Sequence, residues 1–192
     1  MKRLIMCIMG MWMGLCILPM AMAGEGLKPG EPLPSITLPV PETPALKDYL
    51  GLSGGDSFKI PQIKARVVII EIFSMYCPHC QREAPTVNGL YQKIEDTPSL
   101  KGKIKLIGIG AGNSPYEVNV FRERYHIPFP LFPDVDFVVH KAFGEVRTPY
   151  FVGVQLDKDG TDRIIYDKIG AFESIDHFLD LIQKRSGMNQ EQ

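Results

Sequence analysis

The chain lacks the composition of several protein classes. Its 192 residues carry 21 basic and 22 acidic side chains, which gives a formal net charge of −1. Because no long basic run is present, the sequence argues against a dedicated nucleic-acid-binding protein. It also lacks internal repeats, low-complexity stretches and a series of long apolar segments, which excludes collagen, a disordered chain and a multi-span membrane protein. The length suits a single compact domain, and we expect a monomer.

Tryptophan and cysteine are scarce, with one and four residues respectively. The tryptophan, Cys7 and Cys16 all lie in residues 1–23, which begin with Lys2-Arg3 and end with Ala21-Met22-Ala23. A positive start, an apolar stretch and a small-residue site are typical of a secretory signal peptide, here cleaved after Ala23. The alternative is an uncleaved N-terminal membrane anchor, because the uncharged stretch is just long enough to span a bilayer. Both alternatives predict a periplasmic or otherwise extracytoplasmic protein.

The rest of the chain divides into three parts. Residues 24–60 are rich in proline and predict an extended segment on the surface. Residues 61–185 contain the regular apolar patterns and predict the folded domain, and residues 186–192 predict a C-terminal tail. This mature chain keeps only two cysteines, Cys77 and Cys80.

Runs of β-branched residues alternate along the domain with apolar residues at helical spacing. In chain order they predict a strand at 67–73, a helix at 78–96, a strand at 104–109, a helix from Asn113 or Ser114 to 126, a short helix at 136–143, strands at 150–156 and 163–169, and a helix capped by Ser174. The order βαβα followed by ββα predicts an α/β sandwich with a central mixed sheet.

The sequence Cys77-Pro78-His79-Cys80 directly follows the first buried strand and opens a helix. Unpaired amides at a helix N-terminus stabilise negative charge, which lowers the pKa of the first thiol. A thiolate is the attacking species in disulfide exchange. We therefore predict Cys77 as the exposed nucleophile and Cys80 as the buried resolving thiol. His79 can add a positive charge or a hydrogen bond to Cys77.

Three other interpretations of the two cysteines compete. A structural disulfide is possible outside the cytoplasm, but a two-residue loop stabilises little. A four-ligand structural zinc site needs a second pair of cysteines, which the chain does not have. Covalent haem attachment needs a histidine directly after the second cysteine, where this chain has Gln81. The position between a strand and a helix favours a redox-active disulfide that needs no further cofactor.

The segment from Phe73 to Cys80 resembles the active-site segment of the thioredoxin superfamily, and its Pro-His pair resembles that of DsbA. The sequence Cys80-Gln81-Arg82-Glu83-Ala84-Pro85 is similar instead to the TlpA and ResA branch. The resemblance covers about residues 33–183. It implies a thioredoxin-like three-layer sandwich and a thiol-disulfide oxidoreductase that exchanges disulfides with cysteines of protein substrates.

The resemblance also implies roles for residues outside the dithiol. Thr148-Pro149 matches the cis-proline loop of the superfamily, which lies against the dithiol and offers backbone groups to a substrate strand. Glu71 matches the buried acid that exchanges a proton with the resolving thiol, and its apolar neighbours also predict burial. Glu83 is a weaker candidate for the same role, because a charge in a first helical turn is usually solvated.

The two resemblances imply opposite directions of electron flow. The chain has too few residues between Cys77 and Pro149 for the helical insert of DsbA-like enzymes. The TlpA branch implies reduction of cysteines, including those of apocytochromes c, whereas the Pro-His pair implies an oxidant that forms disulfides. Either direction requires a membrane-bound or exported redox partner that resets the dithiol.

Two further hypotheses belong to other function classes. A copper-binding protein or copper chaperone of thioredoxin fold would use both cysteines and a third ligand from His126, His140 or His177. A peroxiredoxin-like peroxidase is suggested by the proline-rich segment 127–134. For that segment, packing in the core is the simpler interpretation.

Overall fold

The computed structural model describes residues 24–157 and 160–190. The predicted signal peptide or anchor, residues 1–23, lies outside the described residues. No helix of the described part is long and apolar enough to cross a membrane.

A mixed five-stranded sheet forms the middle layer. Its strands are β3 (Val67–Phe73), β4 (Ile104–Ala111), β5 (Leu131–Asp134), β6 (Tyr150–Gln155) and β7 (Arg163–Ile169). They lie in the order β5-β4-β3-β6-β7, with β3, β4 and β5 parallel and β6 and β7 antiparallel to their neighbours. All seven residues of β3 are buried, as expected for a central strand covered on both faces.

Helices cover both faces of the sheet. One face carries α2 (Pro78–Asp96), α3 (Pro115–Tyr125) and α5 (Ile175–Arg185), whose apolar side chains share a core with Val67, Ile69 and Phe73. The other face carries α1 (Pro44–Leu50), α4 (Val138–Ala142) and a small sheet of β1 (Thr37–Pro39) and β2 (Ser57–Lys59). The predicted three-layer α/β sandwich with a central mixed sheet is therefore confirmed.

The expectation of an extended segment over residues 24–60 is wrong for Pro44–Leu50, which form a helix. Helix α1 lies within this segment, because Pro44 is accepted in the first helical turn and Gly51 ends the helix with a φ of 70°. Strands β1 and β2 pair with each other, and Leu38 and Phe58 are buried beneath them. The segment thus forms part of the second core, because its apolar residues have a sheet face to cover.

The C-terminal tail is also more ordered than the sequence indicated. Residues 188–190 form a 3₁₀ turn, Ser186 and Met188 are buried, and the Ser186 carbonyl accepts a hydrogen bond from Arg66 at 3.1 Å. The sequence patterns did not predict strand β5, which lies within the proline-rich segment 127–134. A proline is tolerated there because β5 is an edge strand.

Candidate active site

The two cysteines lie where β3 ends and α2 begins. Cys77 is the N-cap of α2, and its sulfur accepts a hydrogen bond from the backbone N–H of Cys80 at 3.4 Å. Pro78 occupies the first helical turn, where the missing N–H of proline removes no helical hydrogen bond. Local sequence thus places one thiol at the positive end of the helix.

The two thiols occupy different environments. Cys77 is partly exposed, and its thiol donates a hydrogen bond to the Thr148 carbonyl at 3.3 Å, whereas Cys80 is fully buried. Partial burial opposes ionisation of Cys77, but hydrogen bonds with the side chains of Thr148 and Cys80 and with the backbone amides of Cys80 and His79 outweigh it and lower the pKa of Cys77. Burial, followed by the hydrogen bond with Cys77, raises the pKa of Cys80. The Cys77 sulfur is therefore suited to nucleophilic attack, whereas Cys80 is suited to remain a neutral thiol.

His79 does not contact the nucleophile through its ring. The ring is exposed, and its Nδ1 lies 2.8 Å from the Arg82 guanidinium. Because arginine only donates hydrogen bonds, this Nδ1 acts as the acceptor. Stabilisation of the Cys77 thiolate by His79 comes from its backbone N–H instead.

Two buried carboxyl groups lie on the core side of the dithiol. Glu71 on β3 and Glu83 on α2 are 2% and 8% exposed, and each has one carboxyl oxygen without a hydrogen-bond partner among the described residues. Burial, followed by the charges of Glu83 and Cys77, raises the pKa of Glu71 to about 8. Burial also raises the pKa of Glu83, although the Phe172 amide opposes this. Glu83 is therefore buried rather than solvated, because the loop before α5 closes over the first turns of α2.

The Thr148–Pro149 loop faces the dithiol. The peptide bond between these residues is cis, and the Pro149 carbonyl accepts a hydrogen bond from Gly170 at 2.8 Å. The Thr148 carbonyl is the group nearest to Cys77 on this side. Thr148, which lies 71 positions after Cys77 in the sequence, is thereby held against the nucleophile.

Sequence reasoning missed the residues that hold the loop before Cys77. The Asn113 side chain, fully buried, accepts a hydrogen bond from the Met75 N–H at 2.8 Å, and Gln81 donates to the Met75 carbonyl at 2.7 Å. Of the two residues expected to cap α3, Ser114 is the one that does so, in a capping box with Glu117. The only sequence signal for Asn113 was a polar residue among glycines at the end of a buried strand.

The histidines proposed as copper ligands do not gather at the dithiol. Within residues 24–157 and 160–190, no three His, Cys, Asp or Glu side chains are grouped closely enough to hold a metal ion. His140 hydrogen-bonds to the Val146 carbonyl at 2.8 Å, and His126 ends α3. His177 lies in the first turn of α5.

The segment 127–134 serves as packing. Phe129 and Phe132 are 1% and 2% exposed, and Phe132 packs edge-on against Phe58. The segment contains no cysteine that could act as a peroxidase nucleophile.

Known thiol-disulfide oxidoreductases are similar to this chain in sequence and in fold. The chain is 23% identical over 129 residues to the thiol-disulfide oxidoreductase ResA of Halalkalibacterium halodurans, covering 67% of this chain and 69% of that protein. Its fold is similar to the thioredoxin domain of a thiol-disulfide oxidoreductase from Bacteroides vulgatus, with a TM-score of 0.61, 15% identity and coverage of 81% and 99%. It is also similar to a secreted disulfide oxidoreductase of Mycobacterium tuberculosis, with a TM-score of 0.51, 19% identity and coverage of 68% and 90%.

The predicted resemblance to the ResA-like branch of the thioredoxin superfamily is thus confirmed. The model of the AhpC/TSA family matches residues 29–165, which include the dithiol and Pro149. The chain belongs to the AhpC/TSA family.

Proposed function

We propose that this protein is an exported thiol-disulfide oxidoreductase that reduces disulfides in protein substrates. These substrates include apocytochromes c in which the cysteines have formed a disulfide. The observation that carries the proposal is the asymmetry of the dithiol. Cys77 is accessible and has a lowered pKa, while Cys80 is buried and has a raised one. Thiol-disulfide oxidoreductase is also the activity for which the curated relative is named.

The reaction uses the two sulfurs in turn. The Cys77 thiolate attacks one sulfur of a substrate disulfide, forming a mixed disulfide and releasing the other substrate sulfur as a thiolate, which takes a proton from solvent. Cys80 then loses its proton, attacks Cys77 and releases the second substrate thiol. At the end of the reaction the enzyme contains a Cys77–Cys80 disulfide, and the substrate has gained two electrons and two protons.

Glu71 is the base that we assign to the second step. Its pKa of about 8 allows a carboxylate to form near neutral pH and to accept a proton from a buried thiol. Glu83 raises the pKa of Glu71 and takes part through that charge. A membrane-bound or exported partner would then return electrons to the disulfide.

The reducing direction is supported by the position of His79. A ring bound to Arg82 does not stabilise the reduced form of Cys77, which is how an oxidising dithiol would gain its strength. The similarity to ResA points the same way. Export is supported by the signal pattern of residues 1–23 and by the secreted relative from Mycobacterium tuberculosis.

Insulin reduction by purified residues 24–192 tests the activity. We expect the reduced protein to cleave insulin disulfides, Cys80→Ala to accumulate as a mixed disulfide with insulin, and Cys77→Ala to do neither. Absence of both cleavage and trapping would overturn the activity. The reduction potential tests the direction: a value near that of thioredoxin, about −270 mV, supports a reductase, and a value near about −120 mV, as in DsbA, would overturn it.

A further inference from the structure

A tight turn connects strand β3 to the nucleophile. It runs from Ser74 to Cys77, and the Cys77 N–H donates a hydrogen bond to the Ser74 carbonyl at 3.0 Å. The two central residues of such a turn have no backbone partner within it, so their N–H and C=O groups need partners elsewhere. Met75 is the first of these central residues, and the direction of its backbone helps to set where the chain places the Cys77 sulfur.

Two side chains bind the two backbone polar groups of Met75. The Asn113 side-chain oxygen accepts a hydrogen bond from the Met75 N–H at 2.8 Å. The Gln81 side chain donates to the Met75 carbonyl at 2.7 Å. Asn113 also donates to the Ser74 hydroxyl at 3.4 Å. Asn113 follows β4 and Gln81 lies near the start of α2, so two separate elements hold the turn.

The residues before Asn113 leave room for its side chain. A Cβ at Gly110 would lie 3.1 Å from both Cβ and Oδ1 of Asn113, which is closer than ordinary contact. Gly112 has a φ of 65°, a conformation that glycine adopts without strain, directly before Asn113. The cap of α3 is Ser114 and not Asn113. The Asn113 side chain therefore has no capping role, and it makes its hydrogen bonds to the turn before Cys77.

Asn113 is fully buried, which is uncommon for an amide side chain. Burial of an amide is unfavourable unless the hydrogen bonds that it made to water are replaced inside the protein. Here both ends of the amide are hydrogen-bonded to the Ser74–Cys77 turn. A buried polar group that is paired in this way specifies one arrangement of the backbone around it.

The position of the Cys77 sulfur determines how well its charge is stabilised. Although partial burial opposes ionisation, hydrogen bonds that include those with the amides of Cys80 and His79 lower the pKa of Cys77. The Cys80 N–H lies 3.4 Å from the sulfur. Hydrogen bonds weaken steeply as distance and angle depart from the ideal, so a turn that moved freely would lose part of this stabilisation.

We propose that Asn113 is a positioning residue for the nucleophile: with Gln81 it holds Met75 so that the Cys77 sulfur stays in contact with the amides at the start of α2. The proposal rests on the proposed function, in which Cys77 attacks the substrate disulfide. It adds a residue that acts through the backbone of the turn and not on the sulfur itself. Reactive groups generally need such supporting residues to keep their geometry.

Asn113→Leu tests the proposal, because leucine has a similar volume but makes no hydrogen bond to Met75. The rate at which iodoacetamide modifies Cys77 of the reduced protein is measured from pH 5 to pH 10 by peptide mapping with mass spectrometry. We expect the variant to react about three- to tenfold more slowly than wild type at pH 5 and at least as fast at pH 10, because only the thiolate reacts. Equal slowing at every pH, or an unchanged profile, would overturn the proposal.

Asn88→Leu is the matched control. The Asn88 side chain donates a hydrogen bond to the Tyr125 carbonyl at 2.8 Å, 37 positions away. Asn113 reaches Met75 over 38 positions. Asn88 lies farther along α2, about 16 Å from Cys77 at 1.5 Å per residue. Urea unfolding measures the stability lost in each variant, and we expect Asn88→Leu to keep the wild-type alkylation profile. The same change of profile in both variants would indicate general loosening of the fold and overturn the proposal.

Gln81→Leu decides the case in which Asn113→Leu does not fold. Gln81 is only partly buried, so its replacement leaves the core intact. We expect about two- to threefold slower alkylation at pH 5 and the wild-type rate at pH 10, because Asn113 still holds the Met75 N–H. An unchanged profile in this variant would overturn the proposal.

Insulin reduction by wild type separates this inference from the proposed function. If wild type reduces insulin but the alkylation profiles of Asn113→Leu and Gln81→Leu match that of wild type, only the positioning role fails. If wild type does not reduce insulin, the proposed function fails. The alkylation profiles then still decide whether Asn113 positions the Cys77 sulfur.

Discussion

The two sides of the dithiol contradict the usual rule of burial in opposite senses. On the core side, Glu71 and Glu83 place carboxyl groups where apolar side chains are expected. On the open side, Tyr76 and Phe137 expose rings where polar side chains are expected. Departures from the usual burial pattern tend to concentrate at functional sites, and both of these departures lie beside the dithiol. In the proposed mechanism, Glu71 on the core side is the proton acceptor for Cys80.

The first prediction tests the difference between the two sulfurs, where we expect the largest effect. Iodoacetamide at pH 7 should modify Cys77 of the reduced protein at least about 100-fold faster than Cys80, because Cys77 is accessible and more easily ionised. Peptide mapping by mass spectrometry at successive times measures both rates. Comparable modification of Cys80 in the folded protein would show that the asymmetry is absent.

A second prediction concerns the stability cost of the carboxyl group on the core side. The folded-state pKa of Glu71, about 8, lies above its ordinary value of 4.5, so the folded protein binds this proton more tightly than the unfolded chain does. The stability of the reduced protein should therefore fall as pH rises from about 5 to about 8, and Glu71 should contribute on the order of 3 kcal/mol to that fall.

Glu71→Gln is the variant that isolates this contribution, because glutamine has nearly the shape of the protonated acid but does not ionise. Urea unfolding of reduced wild type and reduced Glu71→Gln at pH 5 and pH 8 measures the difference. We expect the variant to be the more stable protein at pH 8 and to lose less stability between the two values. Parallel losses in both proteins would place the titrating group elsewhere, and Glu83→Gln would then identify whether it is the neighbouring acid.

The sequence was enough to predict that the dithiol lies at the start of a helix, because all of the relevant signals are local. A buried run at 67–73, Cys77 as an N-cap and Pro78 in the first turn lie within twelve residues of one another. The same holds for the burial of Glu71, whose neighbours in the strand are all apolar. Local pattern and final structure agree wherever one element carries the whole signal.

The rest of the site depends on contacts between distant segments. Asn113 reaches Met75 across 38 positions of sequence, and nothing in its own neighbourhood distinguishes that role from capping α3. Tyr76, Gly112 and Phe137 line one groove on the surface. They lie on separate segments of the sequence, so hydrophobic periodicity cannot predict that they come together. Helix α1 was missed for a similar reason, since a proline-rich segment becomes helical only when a sheet face is available to cover.

The smallest effect that we predict belongs to His79, and it bears on whether the open side of the dithiol is tuned by charge. Because the ring bonds to Arg82, His79→Ala should change the Cys77 alkylation rate by less than about threefold and the reduction potential by less than about 15 mV, half of the roughly 30 mV that corresponds to a tenfold change in equilibrium. Arg82→Ala provides the comparison, because it frees the ring to turn towards the sulfur. A shift of several tens of millivolts in His79→Ala would mean that the imidazole stabilises the thiolate, and the Pro-His pair would then indicate an oxidant. A small shift leaves the hydrogen bonds with Thr148, Cys80 and the His79 amide as the local source of thiolate stabilisation. Any residue at position 79 other than proline would preserve the amide.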